Sequence, residues 1–335
     1  MSADIRLLRR DFLLHGSAAP VYRLDTGALP DKPIACSICI GAFDGLHLGH
    51  RRLLGLTIAD ARDRGVPAVA VTFDPDPDCV VGPGPAPKLM ASADRIAGLA
   101  SSGVDAVLVV PFDDRLAALG HAEFFRRALM PILDVRSVHV GSDFRLGSGG
   151  TGTVDVLAAW GASVGVDVMG HDLVLDDGAP ITATRIRWLL ASGDLDAVER
   201  ELGRNYFIRG TVVTGRGEGT KMGFPTANIR VPGHIQRPAA GVYAGFALEG
   251  GNAWPAAINV GVPPMFEGEK GAAELEANFL GFDGDLYGSD IALLFCKLLR
   301  PQHRFDSVEE LIAAVKANIE DVRELYGDTK EEIGF

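Results

Sequence analysis

Two histidines three residues apart, His47 and His50, stand in the run Gly41-Ala-Phe-Asp-Gly-Leu-His-Leu-Gly-His50. The run follows an apolar segment, 34–40, that reads as a buried strand, and precedes residues 51–59, whose spacing reads as a helix. Both imidazoles therefore fall in the first turn of a helix, on one face. A helix start offers free backbone N–H groups and the positive end of its dipole to an anion. Gly49 between them has no side chain to hold a phosphate away. The chemistry this suits is a nucleotide phosphate site, where two imidazoles steady charge developing at phosphorus. The residues alone also leave open a solvated pair or half of a metal site.

A second constellation lies near residue 220. Gly210-Thr-Val-Val-Thr-Gly215 reads as a strand into a turn, followed by Arg216-Gly-Glu-Gly-Thr-Lys-Met-Gly-Phe-Pro-Thr-Ala-Asn-Ile229. Gly215, Gly217, Gly219 and Gly223 can turn backbone N–H groups toward phosphates. Pro225 fixes the turn, and Thr226 and Asn228, two apart in an extended segment, aim neutral oxygens the same way. Neutral oxygens together with substrate phosphates are a common way to hold Mg²⁺.

The elements that must position these groups form two blocks. Apolar segments at 34–40, 66–73, 104–110 and 137–140 alternate with helical patterns after 50 and at 93–101 and 121–133. That alternation predicts a parallel sheet with helices on both faces and ligands at the strands' C-terminal ends, in loops 41–50, 73–78, 111–115 and 141–147. Residues 1–33 are expected to hold an edge strand. Strand-like residues 164–168 and 172–174 and the turn at 176–178 lead to a helix through Leu190. Thr182 or Thr184 can cap it, and Arg185 and Arg187 project from its first turns. After Gly193-Asp194 a further helix runs to Leu202. From Tyr206 onward the chain is short strands and glycine turns, closing on a long amphipathic helix at 308–326.

The bulk numbers narrow the class. A chain of 335 residues has room for two domains, and 47% hydrophobic with 23% charged residues is the mix of a globular protein. Lys+Arg 32 against Asp+Glu 44 gives a net charge of −12, which argues against a nucleic-acid surface or an anionic membrane as partner. Self-association stays open. No signal peptide is read at the N-terminus, and no apolar run reaches the roughly 20 residues that span a bilayer. Cys36-x-x-Cys39 lies inside a buried-strand pattern rather than at a helix start, so reduced cytoplasmic thiols are expected.

The run Gly41–His50 resembles the nucleotidylyltransferase signature, in the version carried by the bacterial bifunctional riboflavin kinase/FMN adenylyltransferases (FAD synthetases). Thr72-Phe-Asp-Pro-Asp-Pro77, Gly141-Ser-Asp-Phe-Arg-Leu-Gly147 and Ile181-Thr-Ala-Thr-Arg-Ile-Arg187 are similar to further stretches of that family. Gly-Phe-Pro-Thr-Ala-Asn228 is similar to the riboflavin kinase signature, and Leu275–Gly288 and Leu299-Arg-Pro301 to that family's catalytic strand and closing segment. The resemblance implies an α/β nucleotidylyltransferase domain with a Rossmann-like parallel sheet at 1–195. A β-barrel riboflavin kinase domain with a C-terminal helix would follow at 203–328. It implies a transferase that makes FMN from riboflavin and ATP, and FAD and pyrophosphate from FMN and ATP, with Mg²⁺.

By the same resemblance Gly41, Phe43, Gly45, His47 and His50 bind ATP, and Thr184 and Arg187 hold its outer phosphates, with Arg185 as helper. Asp143, Phe144 and Arg145 line the nucleotide or flavin pocket. In the second half Gly215, Gly219, Lys221, Gly223 and Pro225 contact the nucleotide, and Thr226 and Asn228 the metal. Glu276 is the base for the riboflavin hydroxyl, and Arg300 lies at the flavin. The chain departs from the family at Asp76, Leu146 and Ala183, where histidine, an aromatic residue and serine are usual. Asn278 and Met265 stand where histidine and threonine are more frequent. A carboxylate beside a triphosphate repels it unless a metal bridges them, so Asp76 is expected to face solvent or help hold Mg²⁺. The departures keep an alternative in view: a kinase of riboflavin or an analogue whose N-terminal half has lost or altered nucleotidyl transfer and serves as a binding or regulatory module.

Overall fold

The computed structural model describes residues 19–25, 32–82, 84–215, 219, 222–232, 234–261 and 275–333, so Gly217, Lys221 and Met265 lie outside the described residues. The chain divides into two compact units, one within His15–Ala183 and one that holds the described residues from Thr184 onward.

The first unit is built on six parallel strands: β1 (Val21–Arg23), β2 (Ile34–Ile40), β3 (Ala68–Phe73), β4 (Ala106–Val110), β5 (Leu133–Gly141) and β6 (Asp167–His171), in the order β1-β4-β3-β2-β5-β6. The middle strands are almost wholly apolar because helices cover both faces. Helices α1 (Leu48–Arg64), α2 (Ser92–Ala100), the short α3 (Asp114–Ala117) and α4 (His121–Phe124), and α5 (Val154–Val164) connect them. From β2 the chain winds outward to β3 and β4, then returns to place β5 on the other side of β2. The order therefore reverses between β2 and β5, which opens a crevice at their C-terminal ends. A β7–β8 hairpin (Leu175–Asp176, Ala179–Pro180) closes this unit.

Two expectations need correction. The helix predicted over 121–133 is four α-helical residues that widen into a π-type turn, Phe125–Leu129, and β5 starts at Leu133 rather than 137. The side chains of Phe124, Phe125 and Leu129 enter the core there, Phe125 stacked on Trp160 at 4.3 Å. Helix α5 was not anticipated. It is apolar on most sides and so shows little period, yet Gly161 is needed where a Cβ would stand 2.4 Å from the Val166 carbonyl. Thr153 caps its start, donated to by Val156 N–H, and Gly165 ends it in the left-handed region.

In the second unit α6 (Ala183–Ser192) and α7 (Leu195–Leu202), the latter capped by Asp194, precede an antiparallel barrel. Its strands are β9 (Tyr206–Val213), β10 (Ala227–Arg230), β11 (Gly241–Glu249), β12 (Asn252–Val260), β13 (Leu275–Phe279) and β14 (Asp290–Pro301). The order β11-β14-β9-β10-β13-β12 closes through β11–β12 pairing, so no edge of the six is left free. Inward positions such as Leu275, Ala277 and Phe279 are buried, and outward ones alternate with them. Helix α8 (Val308–Tyr326) packs on β11 and β12, and β15 (Glu331–Glu332) pairs with β12. No helix of the described residues is long and apolar enough to cross a membrane.

Candidate functional site

The crevice between β2 and β5 deepens into a cavity of about 550 Å³, within the range that holds a small-molecule ligand. All four strand-end loops contribute: Gly41 to His50, Phe73 and Pro77, Phe112, and Gly141 to Gly147. His171 to Val174 and Ile181 to Ala183 complete the wall. Gly41, Phe43, His47, His50, Asp143, Phe144 and Arg145 thus share one pocket. Gly45 stands behind the wall, where it makes the turn. Its φ is +78°, and a Cβ would come within 2.6 Å of Leu89. Phe43 and Leu46 also have positive φ, an unusual pair for bulky residues. The turn is held by Asp44, whose Oδ1 accepts from Leu89 N–H at 2.8 Å.

His47 sits at the N-cap of α1 and is buried, its ring stacked on His50 at 3.7 Å, while Phe43 meets His50 edge-on at 5.3 Å. Burial, then the neighbouring His47 and Arg95, hold His50 well below the usual imidazole range, so it is neutral at pH 7. His50 Nδ1 is buried with no hydrogen-bond partner among the described residues. A buried orphan of this kind at a helix start is a polar atom arranged for a ligand. Thr184 and Arg187 stand on α6 in the second unit and are not among the lining residues, with Arg187 donating to Thr184 Oγ1 at 3.2 Å. Arg185 is ion-paired with fully buried Glu201.

Asp76 does not face solvent. It is 9% exposed and ion-paired with both Arg95 and Lys88, the latter at 3.1 Å. Arg95, 3% exposed, also donates to the Ala42 carbonyl at 2.8 Å and the Phe73 carbonyl at 2.7 Å. One guanidinium thus ties the loop after β2 to the loop after β3, and two cations neutralise the carboxylate that the sequence flagged. Arg95 carried no spacing signal, because its partners lie 19 to 53 residues away. Leu146 and Ala183 both line the pocket, and Leu146 exchanges backbone hydrogen bonds with Gly152. The Cys36 and Cys39 thiols are fully buried and pushed up to about 12 by burial, which disfavours thiolate chemistry.

In the barrel, register assembles a second group. Asn228 on β10 pairs directly with Glu276 on β13, and Glu276 in turn with Asn259 on β12. Directly opposed residues of antiparallel strands share a face, so these three side chains line up on the outer wall of the barrel. Asn278 Nδ2 donates to the Pro225 carbonyl at 2.7 Å, pinning the Gly223–Thr226 turn beside them. Gln302 Nε2 donates to Asn259 Oδ1 at 2.7 Å. The glycines fit their neighbours closely. A Cβ on Gly215 would fall 2.0 Å from Asn228 Nδ2, and one on Gly219 would fall 2.9 Å from Thr226 Oγ1. The two neutral side chains therefore lie against the glycine turn, a cradle suited to a hard cation shared with phosphates. Arg300 is held from α8 by buried Asn318, donating Nε–H at 3.0 Å, and lies over the Phe305 ring. Among the described residues no cluster of three or more His, Cys, Asp or Glu is arranged to hold a metal.

Comparison with known proteins finds a match for each half of the chain. The FAD synthetase family model matches residues 29–185, and the riboflavin kinase model matches residues 202–326. A bifunctional riboflavin kinase/FMN adenylyltransferase of Pseudomonas fluorescens is 37% identical over 87% of this chain and 93% of its own length. The protein of that description from Escherichia coli strain K12 is 36% identical over 88% and 94%. Among solved structures, one titled macrolide-efflux protein from Streptococcus pneumoniae is 27% identical, covers 90% of this chain and 98% of itself, and superposes with a TM-score of 0.78.

Proposed function

The chain belongs to the bifunctional riboflavin kinase/FMN adenylyltransferase family, and we infer from this that it phosphorylates riboflavin to FMN and adenylylates FMN to FAD. The observation that carries the reading is that one chain holds both halves, each with its own phosphate-suited geometry. The alternative of a disabled N-terminal half loses its main argument once Asp76 is paired with Arg95 and Lys88.

In the α/β unit an FMN phosphate oxygen attacks the α-phosphorus of ATP, a bond to that phosphorus forms, and pyrophosphate leaves. Such a reaction asks for positioning and charge stabilisation rather than a protein nucleophile. The α1 N-terminus, Gly41 and the His47–His50 pair are assigned to the phosphates. A neutral His50 stacked on His47 avoids the repulsion that two cations would suffer at 3.7 Å and leaves ring N–H donors for the phosphates. Thr184 and Arg187 are assigned to the leaving phosphates, and Asp143, Phe144 and Arg145 to the rings.

In the barrel Glu276 accepts the proton of the riboflavin primary hydroxyl, whose oxygen attacks the γ-phosphorus of ATP as ADP leaves. Gly215, Gly219, Lys221, Gly223 and Pro225 are assigned to the nucleotide, and Arg300 to the flavin. Thr226 and Asn228 would hold Mg²⁺, which when bound offsets the negative charge of the phosphates. Cytoplasmic location fits the soluble substrates, and self-association is compatible with the reading.

The test is to incubate the full chain with riboflavin, Mg²⁺ and ATP and resolve the flavins by chromatography. FMN and FAD are both expected. FMN without FAD would remove the adenylyltransferase reading, and no phosphorylated flavin would remove both.

A further inference from the structure

A string of buried polar groups runs from the strand-end pocket into the sheet, and the transfer chemistry above does not use it. His171, the last residue of β6, lines the pocket. Its Nε2 lies 2.9 Å from Nδ1 of His139 on β5, with the rings parallel within 7°. His139 is 2% exposed, and its Nε2 is 3.1 Å from Asp60 Oδ2 on α1. Asp60 also accepts from Ser37 Oγ at 2.8 Å, from Ser137 Oγ and from Arg64 Nε at 2.8 Å. Burying such groups in a hydrophobic parallel sheet is costly, so their retention asks for a reason.

Hydrogen bookkeeping supplies one. Burial works against the Asp60 charge, but donors from Ser137, Arg64 and Ser37 prevail and hold its carboxyl far below the usual range. The negative charge of the carboxylate 3.1 Å away favours a proton over a lone pair on that ring nitrogen, although the contact is not aligned as a hydrogen bond, so His139 is Nε2–H. Burial keeps His139 neutral against the pull of Asp60, so its Nδ1 is a lone pair. The hydrogen in the 2.9 Å contact must then come from His171 Nε2. Burial, His139 and Arg52 lower the His171 pKa and Asp172 opposes them, with the net effect of a neutral ring. With its Nε2 hydrogen committed to His139, His171 Nδ1 is left as an acceptor.

Place fixes what it can reach. Gly141 pairs with His171, and β5 pairs with β2. His171 therefore stands two strand spacings, about 10 Å, from the end of β2. That is too far to act on a phosphate seated at α1, and about where a ring attached to that phosphate would extend. Phe144, Leu173 and Val174 supply apolar wall beside it.

We propose that His171 is a specificity-determining residue of this pocket: its Nδ1 accepts a hydrogen bond from an N–H of the bound heteroaromatic ring, and His139 with Asp60 positions it by fixing its tautomer. The proposal rests on the nucleotidyl-transfer reading of the α/β unit. The ring N–H belongs either to the adenine amine or to the flavin imide, and substrate analogues separate the two.

The test has two readouts on the full chain. In ¹⁵N-histidine NMR, His171 should show protonated Nε2 and bare Nδ1. His139→Leu should erase that preference, while His139→Asn, with an amide oxygen near the old Nδ1, should keep it. A His171 protonated on Nδ1, or a tautomer indifferent to His139→Leu, overturns the proposal. Kinetically, His171→Leu should raise KM about tenfold for one substrate of FAD formation with kcat little changed, the effect of one lost hydrogen bond. Riboflavin phosphorylation should not change. If adenine is read, wild type should prefer ATP to inosine triphosphate and His171→Leu should not. If the flavin is read, the same convergence should appear between FMN and N3-methyl-FMN. Discrimination unchanged in both arms overturns the proposal. A wild-type chain that makes no FAD at all would instead strike the underlying reading, and the tautomer result would be unaffected by it.

Discussion

The pocket of the α/β unit draws its walls from segments scattered between residues 40 and 183, whereas the barrel face is set by the register of neighbouring strands. The first is tied together by buried charges, Arg95 bridging two loops and Asp76, and holds His50 neutral through burial. The second uses neutral oxygens pressed on glycines, with one carboxylate between two asparagines. The contrast teaches that a pocket made of loops needs ionic ties to hold its shape, while a face made of strands inherits its shape from the ladder. Damage should therefore spread through the first and stay local in the second.

The largest separation should come from Glu276→Gln. If Glu276 is the base proposed above, its loss is expected to cut FMN formation by about 10²–10⁴-fold, while FAD formation from added FMN stays near wild type. Equal loss of both in the chromatographic assay would dissolve the two-site picture. Arg95→Ala should rank next. It leaves Asp76 without its closest cation and two loop carbonyls without a donor, at about 3–5 kcal/mol of stability. Denaturant unfolding measures this, and FAD formation should fall with it. A change under about 1 kcal/mol would mean that Lys88 alone neutralises Asp76.

His47→Ala with His50→Ala should slow FAD formation by about 10²–10³-fold and spare FMN formation; a matching fall in the kinase assay would contradict the division. Gly215→Ala should cost about 1–3 kcal/mol, because the new methyl meets the Asn228 amide. Adding Asn228→Ala should return most of the lost Tm without restoring kinase activity. If Tm stays low, the collision is not the cause. The smallest effect concerns pH. His50, His139 and His171 all have lowered pKa values, so as pH falls below about 6.5 the unfolded chain takes up protons that the folded one refuses. Stability of the α/β unit should drop from there downward, and Asp60, whose pKa is also lowered, adds a loss only below about pH 4. Hydrogen exchange should show β2, β5 and β6 losing protection between pH 7 and 5 ahead of β9 and β14; the reverse order would count against it.

What could be read from the sequence follows the same division. The Gly41–His50 turn and the Gly-Phe-Pro-Thr-Ala-Asn run were legible because their chemistry is local: a helix start, a fixed proline, alternate residues on one face. The strand-and-helix alternation gave the parallel sheet, and the long periodic segment at 308–326 gave α8 within its observed bounds. Asp76 was misjudged because the residue that neutralises it, Arg95, is brought there only by folding. The Asp60–His139–His171 string was missed for the same cause, since residues 60, 139 and 171 show no spacing a periodicity could reveal. Helix α5 escaped because it is apolar on most sides while only Leu157 and Gly161 are buried, so no polar face marks the period.

The closure of the barrel has a consequence for how the chain is made. The β1 to β6 sheet is complete in sequence by His171, so every strand of it is available early in synthesis. β9, by contrast, must wait for β14, since Thr211 pairs with Asp290, 79 residues later. At 5–20 residues per second that wait lasts about 4–16 s. For that interval one side of β9, with Phe207 and Ile208 destined for burial, leaves the ribosome without its neighbour. The later half of the chain is thus the one that most needs shelter at birth, although its finished form has no open seam.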